Sequence, residues 1–307
     1  MILLQRTAKD FGNIDGSSIE PAALSVVAMD QFHTIRLETD FGTVPLVEVF
    51  AVSTDLSPHE QFVIIEGDCQ SVDGIGTNMK SGSLCVLGSV GDKTGASMSG
   101  GDLVISGNAR DQLGAGMSDG MIYVAGDCRH SLASPLPGRK LGMRGGDILI
   151  AGNVGNRACE RIRRGTVFVA GDAGDYCVPQ MIAGSVVVMG EIGEEWGGGM
   201  RRGSIILGRD YSSTSSASLS EAREFELSFL PLLWRHIVQM QHRAFAILNL
   251  AIAMSDTATQ RAARRAPAPL RIPSTRWVQR QIADLNCNGR GEILVLRRTS
   301  SRMIETA

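Results

Sequence analysis

The stretch GAGMSDG, from Gly114 to Gly120, has the glycine spacing of a loop that binds phosphate. Such a loop cradles phosphate with backbone N–H groups and carries a Lys-Ser/Thr pair, which does not follow here. Similar stretches begin at Gly74, Gly95 and Gly197. A nucleotide-binding motif occurs once, between a strand and a helix. Because this glycine pattern occurs several times, it indicates structural repeats whose glycines form corners.

Glu191, Glu194 and Glu195 form an acidic cluster in the sequence GEIGEEWGG. Paired carboxylates can act as general acid and base in glycoside hydrolysis, which makes an autonomous hydrolase one interpretation. The other interpretation is a solvated loop, because the cluster lacks a second acidic cluster as its partner. His130 is a further candidate, in a loop with two prolines between Asp127 and Leu141.

Other catalytic and metal-binding patterns are missing from the sequence. The six cysteines form no CxxC pair and show no metal-ligand spacing, and no GxSxG elbow is present. The net charge of −2 gives no argument for binding nucleic acid or a membrane surface. The longest apolar run, Ala244–Met254, is shorter than the about 20 residues that span a bilayer. No secretory signal opens the chain, so we expect a cytoplasmic protein with free thiols. From the missing motifs we expect no catalytic residue and no metal site in this chain.

Glycines recur through the middle of the chain with a period of 19 residues. Eight apolar runs each end in a glycine: Gly67, Gly88, Gly107, Gly126, Gly152, Gly171, Gly190 and Gly208. A second series comprises Gly82, Gly101, Gly120, Gly146, Gly165, Gly184 and Gly203. Three residues before these stand Met79, Met98, Met117, Met143, Ile162, Met181 and Met200. One step, from Gly126 to Gly152, is longer and contains the loop around His130.

A unit of this length cannot bury its own apolar face, so neighbouring units must stack. The apolar runs alternate or are β-branched, as in strands, and no unit has room for a helix. We therefore predict an all-β-dominated fold, a right-handed parallel β-helix with about 19-residue coils. The methionines would form a buried column, and glycines would occupy corners with positive φ or close approach.

The flanking segments do not repeat. We predict a β-structured N-terminal cap over residues 1–60, a β-helix over 61–210, and a mixed α/β segment over 211–307 with a basic, proline-containing linker. In the cap, two strands would turn at Phe41-Gly42. In the C-terminal segment, a long helix would begin near Pro231, a short helix would follow Ser274 or Thr275, and a last strand would cover EILVL.

Stacking would also align basic residues that follow the methionine column. The positions concerned are those of Arg144, Arg163, Arg164, Arg201 and Arg202. Such a stripe could bind an acidic carrier tail or an acidic partner surface. The alternative is that corner positions are exposed and tolerate charge. A second basic segment, Thr257–Arg280, contains six arginines and no acidic residue.

The copies GASMSGGDLVISG, GAGMSDGMIYVAG, MRGGDILIAG and GGGMRRGSIILG resemble the β-helical subunit family of formylmethanofuran dehydrogenases. The C-terminal domain of glutamate synthase large subunits shares this repeat, but its other domains are absent here. The resemblance covers about residues 60–210. The whole layout is most similar to the β-helical subunit of the bacterial formyltransferase/hydrolase complex.

The resemblance implies a non-catalytic scaffold subunit without a directly bound cofactor. Its partners would be an amidohydrolase-like metal subunit, a formyltransferase subunit and a homologue of the molybdenum- or tungsten-binding subunit. The complex would transfer a formyl group from formyl-tetrahydromethanopterin to a methanofuran-type carrier and hydrolyse it to formate, in formaldehyde oxidation. Membership of an archaeal-type dehydrogenase remains the alternative within the family.

Overall fold

The computed structural model describes residues 1–54, 61–255 and 269–297. Seventeen strands lie in these ranges: β1 (Ile2–Arg6), β2 (Ile14–Asp15), β3 (Arg36–Thr39), β4 (Gly42–Pro45), β5 (Phe50–Thr54), β6 (Phe62–Glu66), β7 (Val72–Asp73), β8 (Ser83–Leu87), β9 (Ser99–Ile105), β10 (Asp119–Val124), β11 (Asp147–Ile150), β12 (Thr166–Val169), β13 (Ser185–Val188), β14 (Ser204–Leu207), β15 (Arg223–Glu226), β16 (Trp277–Ala283) and β17 (Gly291–Leu296). The helices are α1 (Pro21–Ser25), α2 (Leu46–Val49) and α3 (Leu230–Met254), with 3-10 turns at Met29–Thr34 and Leu285–Cys287.

One 13-stranded sheet dominates the described part of the chain. Its order is β15-β16-β17-β14-β13-β12-β11-β10-β9-β8-β6-β1-β5. The strands from β1 through β6 and β8–β14 to β17 are parallel, and only the two ends are antiparallel. The protein is thus mostly β, with one long parallel sheet and a long C-terminal helix.

Successive side chains of each strand lie on opposite faces of the sheet, and both faces carry an apolar layer. Ile148, Val167 and Val186 pair in register across β11–β13 and belong to one buried cluster, which also contains the methionine column. The residues next in sequence, Leu149 and Phe168 among them, belong to a second cluster beneath α3. Both faces of the sheet are therefore apolar, as expected for parallel strands that are covered on both sides.

Successive repeats also pair outside the main sheet. Single parallel bridges join residues at equivalent positions, in the series Cys69, Val90, Ala109, Cys128, Val154, Ala173 and Ile192. Corner residues continue the stacking: Arg163 donates its N–H to Met143 O and Arg201 to Met181 O, each at 2.8 Å. The backbone of each repeat is thus bonded to its neighbours along several columns.

The two glycine series meet different steric demands. Glycines of the Met-x-x-Gly series have φ between 79° and 106°, where a side chain is strained. The strand-closing glycines need close approach instead: a Cβ on Gly152 would lie 2.6 Å from Gly126 O. In GAGMSDG, the glycines meet the demand for positive φ, which Gly114, Gly116 and Gly120 all have.

The predicted methionine column is buried, because all six methionines and Ile162 have 0% exposure. Each methionine reaches beneath the corner glycine of the next repeat, so a Cβ on Gly165 would lie 2.7 Å from Met143 Cε. The long, unbranched side chain fills the space that the missing Cβ leaves.

The seven extra residues of the long repeat lie between Ala133 and Gly142. Ala133 corresponds to Cys159, and both have positive φ. Gly142 corresponds to Arg161, to whose carbonyl it donates its N–H at 3.2 Å. The insertion leaves the register of the following repeat unchanged.

In the N-terminal segment, the expected hairpin is present as β3 and β4, but its turn residues are Asp40 and Phe41, because Gly42 already pairs with Thr39. These strands form a small second sheet in the order β4-β3-β2-β7. β1 instead joins the long sheet beside β6. The sheet thus extends across the predicted segment boundary at residue 60, and β17 carries it across the boundary at residue 210.

α3 begins at Leu230 with Pro231 in its first turn, as predicted, and crosses the outer face of the sheet. Arg243 Nη2 lies 2.8 Å from Asp102 on β9, and His236 Nε2 lies 3.0 Å from Asp147 on β11. Seven residues of helix rise about 10.5 Å, and two strand spacings measure about 9.6 Å. The similar lengths let one helix contact successive strands in register. No helix in the described ranges is long and apolar enough to cross a membrane.

The short helix predicted after Ser274 or Thr275 is wrong, because this segment forms strand β16. β16 pairs antiparallel with β17 over six residue pairs and with β15 over four. Val278 packs beneath α3 while Ala283 faces the other cluster. Pairing at the end of a sheet has overridden the local helical pattern, which is a weak determinant by itself.

Replacing Gly165 by alanine should destabilise the protein more than the same change at Gly184. The two glycines have similar φ, 99° and 106°, so the backbone strain is matched. A Cβ at Gly165 would lie 2.5 Å from Gly146 O and 2.7 Å from Met143 Cε. At Gly184 the nearest atom is Gly165 O, 3.1 Å away, and the three nearest atoms all belong to the backbone, with Ile162 in place of methionine. We expect a difference of at least ~1 kcal/mol in the free energy of unfolding, measured in urea. Equal losses would contradict this packing of the methionine column.

Candidate anion-binding column

Stacking brings three of the predicted arginines to equivalent positions. Arg144, Arg163 and Arg201 follow Met143, Ile162 and Met200, and each donates its backbone N–H to the column residue of the preceding repeat. Arg144 and Arg163 lie on adjacent repeats, about 4.8 Å apart along the stack. Ile182 separates Arg163 from Arg201.

Arg164 and Arg202 occupy the next position of the same corners, so the structure brings all five predicted arginines to one edge. All five are exposed. None of them forms an ion pair with a residue in the described ranges, whereas Arg110, Arg129 and Arg209 pair with acids elsewhere on the surface. The column therefore presents uncompensated positive charge to solvent.

Arg290 extends the column, although the sequence repeat does not contain it. Its N–H donates to Arg201 O at 2.7 Å, and it is exposed and unpaired within the described chain. Gly291 follows it and begins β17, as glycine and a strand follow Arg202. The sequence feature that could have revealed Arg290 is the Arg-Gly pair before the apolar run EILVL. We name Arg144, Arg163, Arg164, Arg201, Arg202 and Arg290 the arginine column.

Guanidinium groups bind carboxylates and phosphates through paired hydrogen bonds, and they stay protonated near neutral pH. They supply no general base. The geometry of the column therefore supports the binding of an extended anion or an acidic surface, and not bond cleavage.

Two carboxylates of the acidic cluster have structural partners. Glu191 Oε1 lies 3.3 Å from Arg209 Nη1, and Glu194 Oε2 accepts the N–H of Thr214 at 2.6 Å. Glu195 is half-buried with φ of 58°. This use of the first two side chains favours the interpretation of the cluster as a solvated, stacked corner.

Glu194 belongs to a row of side chains that the sequence analysis missed. Each member accepts the backbone N–H of its counterpart in the next repeat, at 2.6–3.1 Å, in the series Asp73, Asp92, Asp111, His130, Asn156, Asp175 and Glu194, the last of which accepts from Thr214. We name this series the acceptor ladder. The sequence feature that could have revealed this ladder is a polar residue at the same position of successive repeats. His130 contributes Nδ1, which accepts from Asn156 at 3.0 Å.

The stretch GAGMSDG has little capacity to cradle phosphate. Gly114 donates its N–H to Thr94 O at 2.9 Å, Ala115 to Gln112 O at 3.1 Å, and Met117 to Gly114 O at 3.1 Å. A phosphate loop needs such groups free and convergent. Stacking between repeats uses the N–H of Gly114, and turns within the repeat use those of Ala115 and Met117.

The buried cysteines are poorly suited to nucleophilic or metal chemistry, whereas Cys287 is exposed. Five of the six cysteines are buried, and burial raises the pKa of Cys69 and Cys177 to about 12. Thiols of such high pKa are poor nucleophiles and ligands. No group of three or more His, Cys, Asp or Glu side chains in the described residues could hold a metal ion.

A cleft of about 530 Å³ lies between the N-terminal hairpin and the corners of the first repeats. Asp15, Asp40 and Asp73 line it together with Lys93. Asp40 accepts the N–H of Asn13 and Asp73 that of Asp92, and burial raises the pKa of Asp73. These carboxylates hold the local backbone, and the cleft contains no histidine or cysteine among its lining residues.

The basic segment Thr257–Arg280 is only partly described. Arg261, Arg264 and Arg265 lie outside the described residues. Of the others, Arg276 lies 3.9 Å from Glu226, and Arg280 pairs with Glu292. Arg271 is exposed. Of the three arginines in the described part of this segment, two are thus compensated by acidic side chains.

Replacing His130 by alanine should remove one rung of the acceptor ladder, while asparagine should restore it. Asn156 already accepts through Oδ1 in the same row. We expect His130→Ala to lose about 1 kcal/mol of unfolding free energy and His130→Asn to lose much less. Urea unfolding of the two variants and the parent measures this. Similar losses in both variants would contradict a role for His130 as hydrogen-bond acceptor.

Comparisons with known proteins agree with the repeat. Residues 103–221 match the GXGXG motif family. A chain of one solved structure aligns over its whole length (100%) with 96% of this chain, at 28% sequence identity and a TM-score of 0.77. It is a chain of the formyltransferase/hydrolase complex from Methylorubrum extorquens, crystallised with methylofuran. A comparison with curated protein sequences gives no significant match. The resemblance inferred from the glycine repeat is therefore confirmed.

Proposed function

Because residues 103–221 form a GXGXG motif domain, we propose that this chain is a scaffold subunit of a formyltransferase/hydrolase complex. The complex would transfer a formyl group from formyl-tetrahydromethanopterin to a methanofuran-type carrier and hydrolyse it to formate. The observation that carries the proposal is the match of nearly the whole chain to a chain of such a complex. Buried free cysteines are consistent with the reducing cytoplasm where this chemistry would occur.

The proposed architecture of the scaffold is a right-handed parallel β-helix over residues 61–210, with an N-terminal cap over 1–60 and a C-terminal segment over 211–307. The parallel sheet, the bridge column and the stacked corners support one coil per repeat. Parallel crossovers are right-handed in nearly all folds, which supports the hand. β5 and β15 form the two edges of the sheet.

Catalysis would reside in the partner subunits: an amidohydrolase-like metal subunit, a formyltransferase subunit and a homologue of the molybdenum- or tungsten-binding subunit. In the described ranges, Glu194 and His130 accept backbone N–H groups in the acceptor ladder, and Glu191 pairs with the side chain of Arg209. The arginine column would bind the acidic tail of the carrier or an acidic surface of a partner.

Two other functions remain as alternatives. Membership of an archaeal-type formylmethanofuran dehydrogenase would use the same scaffold with iron-sulfur and molybdenum or tungsten partners. An autonomous hydrolase would use the cluster Glu191–Glu195, but the hydrogen bonds of Glu194 make that function less favoured.

Affinity purification of the tagged full chain from its native cells, followed by mass spectrometry, tests the scaffold role. We expect a formyltransferase subunit and an amidohydrolase-like subunit to co-purify. Iron-sulfur and molybdenum or tungsten subunits would instead assign the chain to a dehydrogenase. A chain that purifies alone, at concentrations that preserve known complexes, would contradict the scaffold role.

Charge reversal tests the arginine column separately. We expect Arg163→Glu with Arg201→Glu to weaken binding of the carrier or assembly by at least about tenfold, because each change removes a charge-assisted contact and adds repulsion. The control, Arg36→Glu with Arg235→Glu, changes net charge equally at exposed sites outside the column. Isothermal titration with the carrier and gel filtration of the complex measure the two effects. Equal behaviour of both double variants would refute the column as a binding site.

A further inference from the structure

The C-terminal end of the long sheet has an open edge. β15 is its terminal strand and, among the described strands, pairs only with β16. All four β15 residues, Arg223–Glu226, are exposed. A free edge carries unpaired N–H and C=O groups that can bond an added strand.

Arg223 on β15 lies directly opposite Arg280 on β16. Like charges in a cross-strand pair are destabilising. Glu292 compensates Arg280, but Arg223 forms no ion pair within the described chain. The repulsion is thus only partly relieved inside the molecule.

A cavity of about 370 Å³ opens over this pair, lined by Ser220, Glu221, Arg223, Phe225, Arg280 and Ile282. The Arg280 guanidinium lies over the Phe225 ring, 5.3 Å from its centroid. Its Nε–H is buried without a hydrogen-bond partner. Phe225 and Ile282 provide an apolar wall, and Arg223, which has no ion pair in the described chain, provides free donors beside the guanidinium group of Arg280. A carboxylate fits these donors.

Acidic side chains near the cavity leave these donors free. Glu292 pairs with Arg280 through Nη2 and not through Nε. Glu221 lines the cavity but forms no ion pair with either arginine. Ser220 Oγ donates to Glu221 O and accepts the N–H of Ile282.

We propose that the β15 edge binds an extended acidic segment of a partner protein. The segment adds to the sheet as a strand beside β15, and one of its carboxylates binds between Arg223 and Arg280. Main-chain hydrogen bonds supply affinity, and the cavity selects the acidic side chain, as in other cases of strand addition. This surface is distinct from the arginine column and does not depend on the proposed formyl-transfer role.

A second copy of the chain fits the edge poorly. Two copies of β15 paired around a two-fold axis normal to the sheet keep each side chain on its own face. Residues that lie opposite each other must then be both odd-numbered or both even-numbered. Every register centred on β15 then opposes like charges: Arg223 with itself, Glu224 with itself, Glu224 with Glu226, or Glu226 with itself. Such pairs are destabilising, which favours a different chain as the occupant.

The test measures fluorescence anisotropy of a short labelled peptide of alternating valine and glutamate with the full-length chain. We expect saturable binding, weakened at least about tenfold when glutamine replaces glutamate, as for a charge-assisted hydrogen bond. A peptide that keeps the glutamates but has proline at alternate positions should lose binding, because proline cannot donate to the sheet.

Arg223→Glu should weaken binding of the glutamate peptide by at least about tenfold. Arg235→Glu, with the same charge change at an exposed site on α3, should not. Arg223→Glu converts the like-charge pair into an opposite one, so the variant should fold, which thermal unfolding checks. Equal binding by both variants, undiminished binding of the proline peptide, or self-association of the chain through β15 in place of peptide binding would overturn the proposal.

Discussion

Backbone hydrogen bonds between residues at equivalent positions of successive repeats are the constraint on which this structure depends. They fix the register, and a shift of one residue would turn each inward side chain outward. For this reason the repeat length stays near 19 residues. Extra residues can be added only outside the stacked corners. The insertion between Ala133 and Gly142 illustrates it: seven residues are added while Gly142 still bonds to Arg161.

The same register determines which residue types each position accepts. Corner glycines with positive φ leave space that the methionine of the preceding repeat fills, as Met143 does beneath Gly165. Strand-closing glycines allow the polar side chain of the preceding repeat to reach a backbone N–H, as Asp127 reaches that of Asn153 at 2.7 Å. The acceptor ladder bonds the backbone in the same way at a neighbouring position of the repeat, so two residues that first suggested chemistry, His130 and Glu194, are part of the fold.

Stacking also organises charge on the surface. Residues that are 19 apart in sequence become neighbours, so a few arginines concentrate positive charge along one edge. Ion pairs with neighbouring acids neutralise Arg110 and Arg129, while the arginine column has no such partners in the described chain. An arrangement of this kind suits the binding of an extended anion or a complementary protein surface, and it is consistent with a subunit whose role is to hold others.

The sequence predicts features that recur or that depend on local geometry. The strands, the buried methionines, the hairpin of β3 and β4 and the start of α3 at Pro231 follow from periodicity and turn chemistry. It does not predict features that arise from long-range pairing. β16 has a helix-like local pattern but pairs with β17, and Arg290 joins the column only because β17 stacks on β14. The contacts of Arg243 and His236 with the sheet likewise depend on where α3 docks.

Formate release from the formylated carrier, by the purified chain alone and by the complex that co-purifies with it, tests the central claim most directly. We expect turnover by the complex and none by the chain alone, because Glu194 and His130 accept backbone hydrogen bonds of the stack and Glu191 pairs with Arg209. Turnover by the isolated chain that is lost in Glu191→Gln or Glu194→Gln would contradict the scaffold role and establish the acidic cluster as an active site.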